Sequence, residues 1–451
     1  MIVFEQYSFK YNNNRDWALK EINLELKQGI ITILAGASGS GKSTLLKAIA
    51  GIIPNFTKGI TRGFNATIGM DVARTSLNII TQKAGILFQN ADAQFFNLSV
   101  EDEICFGMLN RGWDKHKIFE RMEEMLRFFQ LQDVRHLPCQ ALSEGQKQKT
   151  ILASIMAVNP SLLLLDEPFA HLDSQQVNDL IHELKKLKKQ GTTIIIAEHR
   201  LDKISEIADR VLVLKNGEVK EEAPAEWLNS NENRKKYGLR EKTSASWQNQ
   251  VYAPPTDKIL TGIKNGLIKY NSGFEREVKN FLATQGSQIV IKGTNGSGKT
   301  SILKILSGLK KLASGHTIPG KIKPGSFTSM ALQQTDNQLF MDTVEDEILA
   351  FSKDKNFAET MLLKLGLDEY RKINPFCLSE GQKQRVVLAS VFSRKTPVIL
   401  LDEPTTGMDG EQLELFTDML NNVSSNEQAC ILATHDETLM QKLDFNMYNI
   451  N

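Results

Sequence analysis

An α/β fold present in two copies is what this sequence predicts, and three observations carry that prediction. A glycine-rich loop, Gly36-Ala37-Ser38-Gly39-Ser40-Gly41-Lys42-Ser43, follows a short β-branched run and returns as Gly293-Thr294-Asn295-Gly296-Ser297-Gly298-Lys299-Thr300. An apolar run closed by an acidic pair, Leu163-Leu164-Leu165-Asp166-Glu167-Pro168, returns as Ile399-Leu400-Leu401-Asp402-Glu403-Pro404. The offsets between landmarks are kept. Ser143 to Asp166 and Ser379 to Asp402 are both 23 residues, and Asp166 to His199 and Asp402 to His435 are both 33. Chance does not preserve such spacings, so the chain reads as a duplicated domain.

In chain order, residues 30–35 read as a strand and 43–50 as a helix, which sets the first glycine loop between the two. Residues 161–165 are continuously apolar, as in strands buried on both faces of a parallel sheet. Residues 177–190 predict an amphipathic helix closed by Gly191, and 192–197 a further strand. The second copy opens the same pattern at 288–292 and repeats the buried strand at 398–401. Strands alternating with helices predict a parallel sheet in each copy. Lys42 to Gln89 is 47 residues but Lys299 to Gln333 only 34; Gln89 to Ser143 is 54 and Gln333 to Ser379 is 46. The inserts vary while the core spacing holds. Residues 222–258 are polar, carry Pro224, Pro254 and Pro255, and read as a linker with a short helix near Trp227. The expected domains are therefore 1–221 and 259–451.

Lys plus Arg total 54 and Asp plus Glu 53 in 451 residues, a formal charge of +1. That balance argues against a protein held on nucleic acid by net charge, and no nucleic-acid partner is expected. The four cysteines are scattered, which indicates neither a disulfide framework nor a zinc site. The stretch Met1-Ile2-Val3-Phe4-Glu5 lacks the basic start and apolar core of a signal peptide. No run approaches 18 apolar residues, so a role at a membrane has to come through a partner.

The G-x-x-x-x-G-K-[ST] pattern between strand and helix is a P-loop. Its glycines let backbone N–H groups converge on a phosphate, and the helix N-terminus adds positive potential. Lys42 and Lys299 are expected at the β- and γ-phosphates, with Thr44 and Ser301 beside them; Ser43 and Thr300 offer hydroxyls to Mg²⁺. The apolar strands deliver Asp166 and Asp402 to the same ion, and Glu167 and Glu403 stand where they can polarise an attacking water. ATP and Mg²⁺ are the expected substrate and metal.

Leu142-Ser143-Glu144-Gly145-Gln146 returns as Leu378-Ser379-Glu380-Gly381-Gln382. Together with the P-loops and acidic pairs, these segments resemble the signature of the ATP-binding cassette ATPases. The resemblance implies, in each copy, a RecA-like parallel-sheet core, an antiparallel β subdomain and a helical signature subdomain. It further implies that Ser143, Gly145 and Gln146 on one side, and Ser379, Gly381 and Gln382 on the other, meet the γ-phosphate held by the opposite cassette. A plainer reading makes Ser143 and Ser379 N-caps, with Gln146 and Gln382 closing capping boxes, and the two readings are compatible. Gln89 and Gln333 look like Q-loop glutamines that touch Mg²⁺, and His199 and His435 look like switch histidines. Asp173, in Ala170-His171-Leu172-Asp173, and Asp409 fit the D-loop. Tyr11 and Tyr270 are candidates to stack on adenine, or are core aromatics of an early strand.

The segment after the first Q-loop glutamine, Asn90-Ala91-Asp92-Ala93-Gln94-Phe95-Phe96, has its partner in Gln334-Thr335-Asp336-Asn337-Gln338-Leu339-Phe340. It is similar to the energy-coupling factor ATPases, whose second glutamine lies in a short helix, although Ala91 and Thr335 replace their usual proline. That similarity implies uptake of a vitamin, a vitamin precursor or a transition metal. The implied partners are a transmembrane scaffold protein and a small substrate-binding membrane protein, at the cytoplasmic face of the membrane. The following Val100-Glu101-Asp102-Glu103 and Val344-Glu345-Asp346-Glu347 read as helix starts capped by Ser99 and Thr343, or as contacts for scaffold arginines. The two cassettes are expected to close head to tail as an intramolecular dimer over two ATP. The competing reading is a soluble twin-cassette translation factor on ribosomes, a family with a longer, highly charged connector.

Overall fold

The computed structural model describes residues 1–450 apart from 13–15, 91, 171, 244–249, 257, 271–273, 323, 353, 426–427 and 444. Ala91, His171 and the 244–249 and 257 parts of the expected linker lie outside the described residues. The chain divides into two units, Met1–Lys242 and Thr243–Asn451.

In the first unit β1 (Ile2–Tyr11) and β2 (Leu19–Leu26) pair antiparallel, and β3 (Ile31–Ala35) leads into the glycine loop. Strands β4 (Gly59–Thr67) and β5 (Met70–Asp71) join the first pair in an antiparallel sheet of order β2-β1-β4-β5. The central sheet adds β6 (Ala84–Leu87), β7 (Leu162–Asp166), β8 (Thr193–Ala197), β9 (Arg210–Lys215) and β10 (Glu218–Pro224), in the order β10-β9-β3-β8-β7-β6. All its neighbours are parallel except β9 and β10.

Every residue of β3, β7 and β8 is buried, because alternate side chains enter two different cores. Ile33, Leu163, Leu165 and Ile196 point to the core shared with the helices Val100–Asn110, Lys115–Phe128 and Glu144–Ala157. Leu34, Leu162, Leu164 and Ile195 point to the core shared with the antiparallel sheet and the helix Lys42–Ile49. The continuous apolar runs are thus the strands between two layers, as expected.

The second unit repeats the plan. Strands β11 (Gln250–Val251), β12 (Ile259–Lys269), β13 (Glu275–Thr284), β14 (Gln288–Lys292), β15 (Ser314–Ile318), β16 (Thr328–Ala331), β17 (Val398–Asp402), β18 (Ala429–Ala433) and β19 (Asn446–Asn449) form two sheets. One is parallel, β11-β19-β14-β18-β17-β16, and one antiparallel, β13-β12-β15. Among the described residues the antiparallel sheet has three strands against four in the first unit, which also carries the helix Leu77–Thr81 before β6; both add to its longer stretch between P-loop and Gln89.

Residues 222–242 differ from the expected linker. After β10 the chain forms a 3-10 turn, Ala225–Asn229, and a helix, Asn231–Lys236. Leu228, Tyr237 and Leu239 enter the first unit's core, with Trp227 against it. Arg234 is fully buried, donating to the Leu228 carbonyl at 2.6 Å and the Asp202 carboxylate at 2.6 Å. A stretch polar in composition places its few apolar residues, and one paired charge, inside. Among the described residues no helix is long and apolar enough to cross a membrane.

Candidate nucleotide site

Because β8 lies between β3 and β7, three adjacent strand ends carry the glycine loop, His199 and the Asp166-Glu167 pair to one edge of the sheet. The order β14-β18-β17 does the same for the second glycine loop, His435 and Asp402-Glu403. Strand order alone therefore gathers residues separated by more than a hundred positions.

Gly39 and Gly41 have φ of 76° and 105°, and Gly296 and Gly298 have 79° and 106°, a region that L side chains resist. A side chain at Gly41 would also meet the Ala18 carbonyl at 2.7 Å. Lys42 Nζ donates to the carbonyls of Gly36 (2.8 Å) and Ala37 (3.0 Å), and Lys299 Nζ to those of Gly293 (2.8 Å) and Thr294 (3.0 Å). Each ammonium is thus held over its own loop, at the N-terminus of the helices Lys42–Ile49 and Lys299–Leu306. The hydroxyls of Ser40 and Ser297 are buried beneath the loops without a hydrogen-bond partner. These features fit a phosphate cradle.

The Ser43 hydroxyl hydrogen-bonds the Asp166 carboxylate, and Thr300 Oγ1 donates to Asp402 Oδ2 at 2.8 Å. Burial pushes the Asp166 carboxyl up to about 6, opposed by the Ser43 bond, and burial raises Asp402 as well. Among the described residues no group of three or more His, Cys, Asp or Glu gathers to hold a metal. A buried hydroxyl–carboxylate pair suits an ion that keeps several waters and binds phosphate oxygens, which is Mg²⁺ chemistry.

Glu167 and Glu403 sit at φ of 51° and 46°, left-handed values that cost a non-glycine residue roughly 1–2 kcal/mol. That turn swings each carboxylate off its strand axis toward the sheet edge. Gln89 Nε2 donates to Glu167 Oε2 at 3.0 Å, and His199 Nε2 lies 3.5 Å from Glu167 Oε1. At the second site His435 Nε2 is 3.7 Å from Glu403 Oε1, and Thr434 Oγ1 donates to Glu403 Oε2 at 3.2 Å. Gln333 follows β16 by two residues, in the register of Gln89 after β6.

Ser143 caps the helix Glu144–Ala157 in a full capping box: Gln146 N donates to Ser143 Oγ at 3.4 Å and Ser143 N to Gln146 Oε1 at 3.0 Å. Ser379 and Gln382 repeat it at 3.4 and 2.9 Å. Gly145 lies against the Gln176 side chain, so a Cβ there would meet its amide at 2.5 Å. Asp173 and Asp409 are buried and accept from the backbone of Gln176 and Gln412, both at 2.9 Å. The aspartates expected in a D-loop are therefore helix caps, and the helix expected at 177–190 starts at Ser174. Tyr11 and Tyr270 hydrogen-bond the residues after the P-loop, Tyr11 to Thr44 Oγ1 at 3.1 Å and Tyr270 to Ser301 Oγ at 3.0 Å. The Lys310 ammonium stands 3.1 Å from the centre of the Tyr270 ring.

After each Q-loop the second glutamine lies in a 3-10 turn, Asp92–Gln94 or Asp336–Gln338. Gln94 brackets β6, accepting from Phe88 N (2.7 Å) and donating to the Ile86 carbonyl (3.1 Å); Gln338 does the same with Leu332 N (2.6 Å) and the Met330 carbonyl (2.8 Å). Beyond it Phe96 and Phe340 are 77% and 70% exposed. Ser99 and Thr343 cap their helices as expected. The acids behind them have partners inside the chain: Glu101 takes Arg135, Glu345 takes Lys372, and buried Glu103 and Glu347 accept backbone N–H groups of the preceding turn. Sequence reasoning missed the buried lysines, Lys147 and Lys383. Each bridges the turn after the Q-loop (Asp92, Asp336) and the signature helix (Glu144, Glu380). Their identical position one residue past each signature glutamine was the available signal. It also missed Glu198, whose difference from Thr434 in otherwise matching segments was visible.

The family profile described as "ABC transporter" matches residues 19–170 and 278–406. A protein of Treponema denticola (strain ATCC 35405) named "Putative ABC transporter ATP-binding protein" is 31% identical over 97% of this chain and 92% of its own length. One of Bacillus subtilis (strain 168), named "Putative HMP/thiamine import ATP-binding protein YkoD", is 30% identical over 98% of this chain and 88% of its own. Among solved structures, archaeal ribosome recycling factor aABCE1 in complex with the stalk protein aP1 matches with a TM-score of 0.68 and 21% identity, over 98% of this chain and 87% of that one. At that identity the likeness is one of fold.

Proposed function

This chain belongs to the ABC transporter family, and from that premise we propose that it is the ATP-hydrolysing energising subunit of a membrane importer of energy-coupling factor type. The cargo is a vitamin, a vitamin precursor or a transition metal. The observation that carries the reading is the pinned turn after each Q-loop, which in both units ends in an exposed phenylalanine, Phe96 or Phe340. An aromatic left in water seven residues past Gln89 or Gln333, on a turn pinned to the sheet edge, suits a docking point for a membrane scaffold. The name of the Bacillus subtilis relative supports the same direction.

In the proposed chemistry Glu167 takes a proton from the attacking water onto its carboxylate, while Gln89 and His199 hold that carboxylate in place. Lys42 exchanges its two loop carbonyls for phosphate oxygens. Ser43 and Asp166 would hold Mg²⁺, which when bound would neutralise phosphate charge. Lys299, Thr300, Asp402, Glu403 and His435 take the same roles in the second cassette. Following the family resemblance, each loop is completed by the other cassette's signature, Ser379 and Gly381 for the first and Ser143 and Gly145 for the second. The capped serines and their helix N-termini suit a γ-phosphate. Tyr11 and Tyr270 take the adenine side of their sites, where their hydroxyls meet Thr44 and Ser301 in the first turn of the helix after each loop.

Purification of the tagged chain from its own cells in mild detergent tests the reading. Recovery of a multi-span membrane protein, with ATPase activity, is the expected result. Recovery of ribosomal particles without membrane proteins would overturn it in favour of a translation factor.

A further inference from the structure

The two cassettes differ at the residue immediately before the switch histidine, Glu198 in one and Thr434 in the other. Glu198 is 3% exposed, and its carboxylate spans two loops. Oε1 accepts the backbone N–H of His199 at 2.7 Å and of Arg200 at 3.0 Å, while Oε2 accepts that of Phe169 at 3.3 Å. Phe169 lies two residues past Glu167, so one side chain ties the backbone of the switch to the backbone of the general base. Thr434, fully buried, does something else: its hydroxyl donates to Glu403 itself, and accepts from Asp436 N at 3.1 Å. The His435 N–H also points at Glu403 Oε2, at 3.4 Å. In the second cassette the general base is thus used to hold the switch. In the first, a separate carboxylate holds the switch, and Glu167 meets Gln89 and His199.

We infer that Glu198 is a positioning residue of the first ATP site, fixing the distance between His199 and Glu167 through backbone N–H groups, and that the two sites consequently turn over ATP by differently supported bases. Burial and the neighbouring Glu167 charge both raise the Glu198 carboxyl, as expected for a carboxylate kept close to another one. Its three N–H donors offset the cost of burying it. The inference rests on the ATPase reading above but not on the importer.

The test is steady-state ATP hydrolysis by the full chain carrying Glu198→Thr or Glu198→Gln, with thermal unfolding recorded alongside. Glutamine keeps the oxygen that serves His199 and Arg200 but cannot accept from Phe169. We expect Glu198→Thr, which can at best recreate the brace that Thr434 gives the second site, to lower kcat measurably but by no more than about twofold, the share of one site in two, with KM for ATP unchanged, and Glu198→Gln to fall between it and the unaltered chain. The reverse exchange, Thr434→Glu, sets a second carboxylate against Glu403 and is expected to lower kcat as well. An unchanged kcat in Glu198→Thr overturns the inference. So does a fall in kcat that comes with a matching rise in KM and an equal loss of unfolding temperature in both variants, which marks a merely structural residue. If Glu198→Thr does not fold, Glu198→Gln decides on the same criterion. Loss of the importer reading, from purification without membrane proteins, leaves these outcomes untouched.

Discussion

The two cassettes share every strand that delivers chemistry and differ in what braces it. In both, a P-loop lysine lies over its own carbonyls, a hydroxyl is paired with a buried aspartate, and a glutamate in left-handed backbone turns toward a histidine. The first adds a fourth antiparallel strand, an acidic brace at 198 and a C-terminal tail bolted on by Arg234. The second has threonine at 434, and Thr438 stands in the register of Asp202. Duplication preserved the positions expected to meet nucleotide and released the ones that support them, so equivalence of the sites is a matter for experiment.

The largest effect should come from the bases. Replacing both Glu167 and Glu403 with Gln is expected to cut turnover about 100-fold or more, the usual worth of a general base. Either substitution alone should leave a measurable share. Should one single variant keep the full rate while the other abolishes it, only one cassette hydrolyses.

Arg234→Met probes a feature of the first unit alone. Removing a buried guanidinium leaves Asp202 and two carbonyls short of a donor, worth about 2 kcal/mol because Asp202 retains some solvent. Calorimetry should show the transition of the first unit lowered and that of the second unmoved; equal shifts would mean the units do not unfold separately.

A smaller effect follows from protonation. Asp166 must be ionised to ligate a metal, and burial has raised it to about 6. Metal-dependent nucleotide affinity should therefore weaken as pH falls through 6, approaching about tenfold per unit below it. The metal-free titration, run in parallel, carries the nucleotide's own protonation. An affinity gain from metal that stays constant between pH 5 and 7 would contradict Asp166 as a ligand.

Least of all, Ser143→Ala and Ser379→Ala each remove one cap, about 1 kcal/mol in unit stability, and the two losses should match because the capping boxes do. A mismatch measured by chemical denaturation would locate a further difference between the cassettes.

The duplicated core was readable because its signals are local. Glycines before a lysine, an apolar run before two acids, and a serine three residues before a glutamine each declare a backbone requirement in adjacent positions. What escaped depends on distance in space. Residues 222–242 look like linker by composition, yet Leu228, Tyr237 and Leu239 find a core that no local pattern announces. Asp173 was assigned to a loop, while its own helix cap starts the next helix three residues sooner than periodicity suggests. Glu198 and Lys147 act on residues 29 and 55 positions away, and spacing alone cannot say which partner a carboxylate or an ammonium meets.

Lys147 and Lys383 carry one more consequence. Each ammonium is buried while its carboxylate partners keep some water, so parting the two segments leaves the lysine with only the glutamate of its own helix. One ion pair thus ties the turn behind each Q-loop to the first turn of the signature helix. That tie gives a pull on the outward phenylalanine a route to the capped serine.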